Sequence, residues 1–435
     1  MRQIKAGLFL FSLVMVSSSG FSMTLQEAIK FSLQNNPKTV ANQLRVEAME
    51  ERVKAQRMSW YPKLNISTGL DTSFNKYSSS GGTSSTSQSE GNHTSVSSSI
   101  NLYDGGAEKY SELAAEADLK ATRARYNSSN AFIPNTRGSI ARQVSTAYVS
   151  LLEIKEQKKY LDRLSGILKL MLSRADENEK VLLSQRIDDL KTSLLSNASR
   201  FTEALIDFKY FATVPAPEEM QTLEQVIESL KIPVNADEAF RVAVQKSPNL
   251  KLAEFELESA QLNYKSEKAR LNSPRASLVT SMNRSGNQTD SSSSNSESVS
   301  IGINISFSLD AANGHRETAA SKNVEAAQRD SDGAIEELKF EIESIYPKLE
   351  SMQQIYLSQL ESLNNAEINL ANLIKKLQSG EKVDLQKFGL PILDNHRQQT
   401  YICLGQKIEI LTTRFNIQRT VGTLFDNVGV DLSSF

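Results

Sequence analysis

The sequence predicts a mainly α-helical protein with a smaller β part, built from two copies of one pattern. Three observations carry that expectation: a long stripe at heptad spacing, segments with period-two alternation, and an internal repeat. The stripe comprises Ile335, Leu338, Ile342, Ile345, Leu349, Met352, Tyr356, Leu363, Leu370, Leu373 and Leu377, and only Gln359 and Ala366 interrupt its three-four alternation. A repeat averaging ~3.5 residues keeps one helix face on a partner and implies a left-handed supercoil. At ~1.5 Å per residue it is roughly 65 Å long, so it needs equally long partners rather than a compact domain.

The β part follows from alternation. Leu64, Ile66, Thr68, Leu70, Thr72 and Phe74 interleave with small polar residues, and Val96 to Tyr103 returns with Ile100 and Leu102 on one side. Leu278, Thr280 and Met282 open a third strand, and Ile301, Ile303, Ile305, Phe307 and Leu309 form a fourth. The serine-rich tracts between them, Ser78–Glu90 and Arg284–Ser298, read as polar connectors.

The repeat aligns LQEAIKFSLQNNP (Leu25–Pro37) with ADEAFRVAVQKSP (Ala236–Pro248) at a constant offset, 248 − 37 = 211. Each copy continues in the same order: helix, strand, polar loop, strand, long helix, turn, returning helix. The expected layout is a signal peptide at 1–22, a first repeat at 23–217, a linker at 218–233 and a second repeat at 234–435. The strand pairs fall at about 64–103 and about 276–309, the long helical hairpins at about 107–211 and about 311–425. Val144, Ala147, Leu151, Ile154, Leu161, Leu168 and Leu172 give the first hairpin its own stripe. Pro134 and Pro347 sit inside the long helices, where a proline removes a hydrogen bond and predicts a kink or short break.

Bulk properties narrow the function classes. Arg2 and Lys5, the apolar run Ala6–Val16 and the small residues Ser17–Ser22 read as a secretory signal. No later apolar run reaches the ~18 residues of a membrane helix. With the signal removed the net charge is −2 − (+2) = −4, which points away from nucleic acid. The single cysteine, Cys403, permits no internal disulfide and reads as a packed small hydrophobe on the return helix. His93, His315 and His396 are scattered and read as solvated. No catalytic, cofactor-binding or metal-binding constellation is visible, so an enzyme is not expected.

Each half supplies two strands long enough to cross a bilayer when tilted, yet four strands cannot close a membrane barrel. Several copies must share one barrel, and a homotrimer is the simplest solution. A coiled-coil structural or interaction protein without channel activity is the alternative.

With these parts assembled, the chain resembles the TolC family of outer-membrane channel and efflux proteins. The resemblance covers the mature sequence, most specifically MTLQEAIKFSLQNNP (Met23–Pro37), INLYDGGAEKYSELAAEA (Ile100–Ala117), the duplication, and QRTVGTL (Gln418–Leu424). It implies a homotrimer with a 12-stranded barrel in outer-membrane lipid and a coiled-coil α-helical barrel through the periplasm. It also implies a periplasmic adaptor (membrane fusion) protein, an inner-membrane transporter of RND or ABC type, and export of drugs, small toxins or unfolded polypeptides. Gly380 stands where the family has a glycine in the second helix-helix turn, and Asp384 and Asp394 are the candidates for its pore-closing aspartates. Asp176, Glu177 and Glu179 make the first tip acidic, and Glu381 adds charge at the second. Neither the glycine-free first tip nor LDAANG at the second strand-helix junction follows the usual family form.

Overall fold

The computed structural model describes residues 22–78, 84–128, 136–214, 217, 219–289, 292–307, 310 and 312–424. In chain order these form β1 (Ser22–Met23), α1 (Leu25–Asn35), α2 (Pro37–Arg57), β2 (Lys63–Ser78), β3 (Ser84–Tyr103), α3 (Ala107–Asn127), α4 (Arg137–Leu172) and α5 (Glu177–Ala212). There follow β4 (Glu219–Met220), α6 (Leu223–Ser229), α7 (Ala236–Lys246), α8 (Pro248–Asn272), β5 (Arg275–Thr289), β6 (Ser292–Ser306), α9 (Asn313–Ser379) and α10 (Leu390–Val421). Mainly α with a four-stranded sheet is the fold class the sequence predicts. None of the described helices is long and apolar enough to cross a membrane.

The repeated motif builds α1 and α7. Thr24 and Asn235, 211 positions apart, cap them by accepting the Glu27 and Glu238 amides, a standard way to satisfy a helix's first free N–H groups. Pro37 and Pro248 end one helix and open the next. The residue before each is pushed into an extended conformation, and the proline then starts a helix that needs no N–H there.

The chain divides into two compact units. The first contains Met1–Ala41, Asn127–Ser247 and Leu338–Phe435. Its upper core packs α1, α4, α5, α6 and α10 around Tyr148 and Phe208, whose rings lie 6.1 Å apart. The Tyr148 hydroxyl donates to the Met23 carbonyl at 2.9 Å and accepts the Gln221 amide at 3.3 Å. It thereby secures both strands of the small parallel β1–β4 pair from one buried phenol. Burial, set against that amide contact, pushes the phenol up to about 12. A second cluster gathers Leu161, Leu164, Leu168 and Met171 of α4, Leu183 and Leu190 of α5, Leu370, Leu373 and Leu377 of α9, and Leu393 of α10. Within the stripe, Leu338, Ile342, Leu349, Met352, Ala366, Leu370, Leu373 and Leu377 are buried. Ala366, which reads as a gap in the sequence, thus holds its slot in the seam.

The second unit contains Asn42–Tyr126 and Pro248–Glu337. Its antiparallel sheet has the order β2-β3-β5-β6, so the two strand pairs of the duplication meet at β3–β5 and β2 and β6 form the edges. Register sorts the faces. One carries cross-strand rows such as Ile66–Val96–Met282–Val299 and Ile100–Leu278–Ile303. The other carries Asn65–Ser97–Ser281–Ser300 and Ser67–Ser95–Asn283–Ser298. Leu64, Ile66, Leu70, Val299, Ile301, Ile303 and Ile305 are all more than 60% exposed, so among the described residues of the unit none covers these side chains.

Several expectations are corrected. The serine-rich tracts are strand wherever they are described, so the strands run 16, 20, 15 and 15 residues. Serine can sit in a strand when its hydroxyl finds a cross-strand partner, as in Ser281–Ser300 at 2.8 Å and Ser285–Ser296 at 2.9 Å. The first long helix is divided into α3 and α4, an interruption of the kind expected near Pro134, which itself lies outside the described residues. Pro347 does not break α9, which is assigned as one helix of 67 residues. The segment 218–233 holds a strand as well as a helix. At the first strand-helix junction Asp104 accepts the Gly106 and Glu108 amides, and Gly105 has φ +71 with no room for a Cβ beside Ser273. At the second junction Asp310 accepts the Ala312 amide at 2.9 Å.

Candidate functional site: the tips of the two helical hairpins

The candidate residues fall on two turns of the first unit, α4-to-α5 and α9-to-α10. In the first turn α4 ends at Leu172 and α5 begins at Glu177. Asp176 caps α5 by accepting the Glu179 amide at 2.9 Å, and Glu179 returns the bond by accepting the Asp176 amide at 3.1 Å. This capping box explains the absence of glycine: the acidic cluster itself makes the turn, and its charges face the positive end of the helix. Glu177 is fully solvated apart from an ion pair with Lys180 at 2.6 Å.

The second turn is built differently. Gly380 has φ +81, a left-handed conformation that glycine adopts without Cβ strain, and Glu381 donates its amide back to the Lys376 carbonyl at 3.1 Å. The Glu381 carboxylate lies 3.5 Å from the Lys376 ammonium. Asp384 then caps a single π-helical turn, Leu385–Gly389, by accepting the Lys387 amide at 2.8 Å. Asp394, a few residues into α10, pairs with Arg186 of α5 at 3.1 Å. The turns touch directly: the free carboxylate oxygen of Glu179 accepts the Leu385 amide at 2.8 Å.

The six acidic candidates therefore lie at or near the two tips, and each already has a partner within the chain. Gly380 and the turn it makes are at the same end, with Arg174 Nη1 4.0 Å from where a Cβ would sit.

Sequence reasoning missed a second polar constellation, above the tips in the same helices. Arg163 of α4 grips Glu367 of α9 with two hydrogen bonds of 2.8 and 2.9 Å. His396 of α10 brings Nε2 to 3.1 Å from the same carboxylate and stacks on Tyr160 at 5.6 Å. The Arg163 hydrogen bonds, with help from His396 and against the cost of partial burial, hold the Glu367 carboxyl down at about 2. His396 corrects the reading of three solvated histidines: its side chain is 2% exposed. Its spacing from Leu393 and Cys403, three and seven residues, puts it on the buried face of α10 and was the available signal. His93 does lie exposed, 3.0 Å from Asp71 on the sheet. Cys403 is buried, and burial raises its thiol above the usual range, which disfavours the reactive thiolate. Among the described residues no three His, Cys, Asp or Glu side chains converge to hold a metal ion.

Comparison with known proteins bears on the family and the fold. The sequence model of the outer membrane efflux protein family matches residues 28–166 and 240–381, more than half of the chain and in two stretches. The chain belongs to the outer membrane efflux protein family. Its two matched stretches fall one in each copy of the duplication. This efflux protein is similar in fold to the outer membrane channel CmeC of Campylobacter jejuni, with a TM-score of 0.70, 13% identity, and 94% of this chain and 88% of that one covered. It is also similar to the outer membrane protein VceC of Vibrio cholerae, with a TM-score of 0.69, 13% identity and 92% and 96% covered. The open state of the MtrE outer membrane channel of Neisseria gonorrhoeae gives a TM-score of 0.65, 15% identity and 92% and 88% covered. A search of curated protein sequences gave no match. As a member of this family the protein is an outer membrane protein of efflux.

Proposed function

We propose that the chain is one protomer of a homotrimeric exit duct. The observation that carries this reading is the sheet, which has one apolar face, one polar face and two unpaired edges. In hydrocarbon, each unpaired edge N–H or C=O costs several kcal/mol, and closed membrane barrels need about eight strands or more. Three copies, joined β6 to β2, give twelve strands and leave no edge. The exposed side chains support a lipid-facing band. From Leu64 to Phe74 is ten residue steps, ~33 Å along the strand and ~25 Å high at a ~40° tilt, the height of such a band. The serine-lined face would then be the wall of the lumen.

In this reading residues 1–22 are a signal peptide, and each repeat, 23–217 and 234–435, contributes one strand pair and one helical hairpin. The hairpin tips, with Asp176, Glu177, Glu179, Gly380, Glu381, Asp384 and Asp394, form the end that closes the duct and receives a periplasmic adaptor. An inner-membrane transporter of RND or ABC type supplies the energy, and the cargo is a drug, another small molecule or an unfolded polypeptide. Outer-membrane fractionation, analytical ultracentrifugation in mild detergent and planar-bilayer recording test the proposal. A trimer with step conductances is expected; a detergent-stable monomer would overturn it. A deletion strain scored for drug sensitivity and for lost secreted protein separates efflux from polypeptide secretion.

A further inference from the structure

We propose that Glu179 is a positioning residue, holding the second hairpin tip through a clasp on its backbone rather than contributing a charge to a ring around the pore. The proposal rests on reading the tips as the closing end of the duct. Three observations converge on it. First, the Asp176–Glu179 capping box fixes the Glu179 side chain, because one of its oxygens is held by the Asp176 amide. Second, its other oxygen meets the amide of Leu385, the first residue of the π-helical turn, at 2.8 Å. An N–H at the start of a helical turn has no partner within its own helix, and here the other repeat, 206 positions away, supplies it. Third, the Leu385 side chain is 1% exposed and packs with the leucine cluster shared by α4, α5, α9 and α10. The clasp therefore sets where the π turn enters the core.

Both carboxylate oxygens of Glu179 are thus directed at backbone amides of its own chain. Asp384 caps the same π turn from within. Single π turns are short and rare elements, frequently found at functional sites. Releasing Leu385 would free the α9-to-α10 tip to move while the α4-to-α5 turn kept its own cap.

Two conservative variants separate reach from charge. Glu179→Gln removes the charge and keeps the length and one acceptor oxygen, enough for the Leu385 amide, while the exposed Asp176 amide is left to water. Glu179→Asp keeps the charge but is shorter by one methylene, ~1.5 Å, too far to span to Leu385. The full chain in detergent would be followed by hydrogen exchange across residues 383–390 and by planar-bilayer conductance and cation selectivity. Glu179→Asp should exchange about tenfold faster there, as expected for losing one charge-assisted hydrogen bond, and should conduct more. Glu179→Gln should stay within about twofold of the parent in both. Equal effects of the two variants on exchange would overturn the clasp, as would unchanged exchange in Glu179→Asp. So would a selectivity change in Glu179→Gln matched by none in Glu179→Asp, the signature of a charge ring. A parent protein that passes no current would sink the duct reading, and exchange would still decide the clasp.

Discussion

Replacing Glu367 with glutamine should loosen the junction of α4, α9 and α10 at neutral pH and have little effect in acid. The carboxyl is lowered from 4.5 to about 2, and at ~1.36 kcal/mol per unit that shift bounds the interaction near 3.4 kcal/mol. Glu367 is 40% exposed and Arg163 49%, so solvent screening reduces the expected contribution to about 1–1.5 kcal/mol. The folded carboxyl is the more acidic, so the stabilisation is present above the unfolded value of ~4.5 and disappears as pH falls towards ~2. Native-state hydrogen exchange over residues 363–370 and 393–400, at pH ~7 and pH ~3, measures this locally. The parent-to-variant difference should shrink by most of its size in acid, and a double-mutant cycle with Arg163→Gln should show most of the coupling at neutral pH. An equal difference at both pH values would refute the argument, because it would leave shape rather than charge as the cause.

Leu370→Ala should destabilise both hairpins together by about 2–5 kcal/mol, since the side chain is fully buried where four helices meet; exchange in α5 as well as α9 is the check. Gly380→Ala should cost about 1 kcal/mol through its left-handed backbone, seen as faster exchange confined to the second tip. Ile303→Lys, on the exposed apolar face, should cost about 2–4 kcal/mol in a bilayer and abolish heat-modifiable migration. Asn304→Lys, on the opposite face, should be tolerated; equal tolerance of both would count against a lipid-facing band.

The duplication and the long stripe were legible because both are periodic, and periodicity survives in a bare sequence. Thr24 and Asn235, Pro37 and Pro248 mark equivalent helix boundaries by local chemistry that needs no partner. Serine tracts were misread because serine is a turn former by propensity. Its acceptance into β3, β5 and β6 depends on hydroxyls across the strand gap, such as Ser67–Ser95 at 2.7 Å, and a single strand does not display its neighbour. His396 was misread for the opposite reason: polarity outweighed a spacing that already put it beside Leu393. At the tips, the acidic residues stood out as charges, whereas Asp176, Glu179 and Asp384 accept backbone amides and Glu177, Glu381 and Asp394 pair with basic side chains. The Glu179–Leu385 contact joins residues of different repeats through a main-chain group, which leaves no mark in side-chain pattern.

The order β2-β3-β5-β6 also constrains the timing of folding. β2 can pair with β3 as soon as both are made, since only five residues separate them in the chain. The β3–β5 seam joins partners such as Ser89 and Asn287, 198 residues apart, so it waits for most of the chain and for a costly loop closure. Until then each half offers an open hairpin with one greasy face, the kind of species that aggregates or is captured by a chaperone. The β3–β5 pairing therefore joins the two halves of the duplication only after β5 has been made. A chain truncated after α8 would leave β3 without its intended neighbour, however sound its helices.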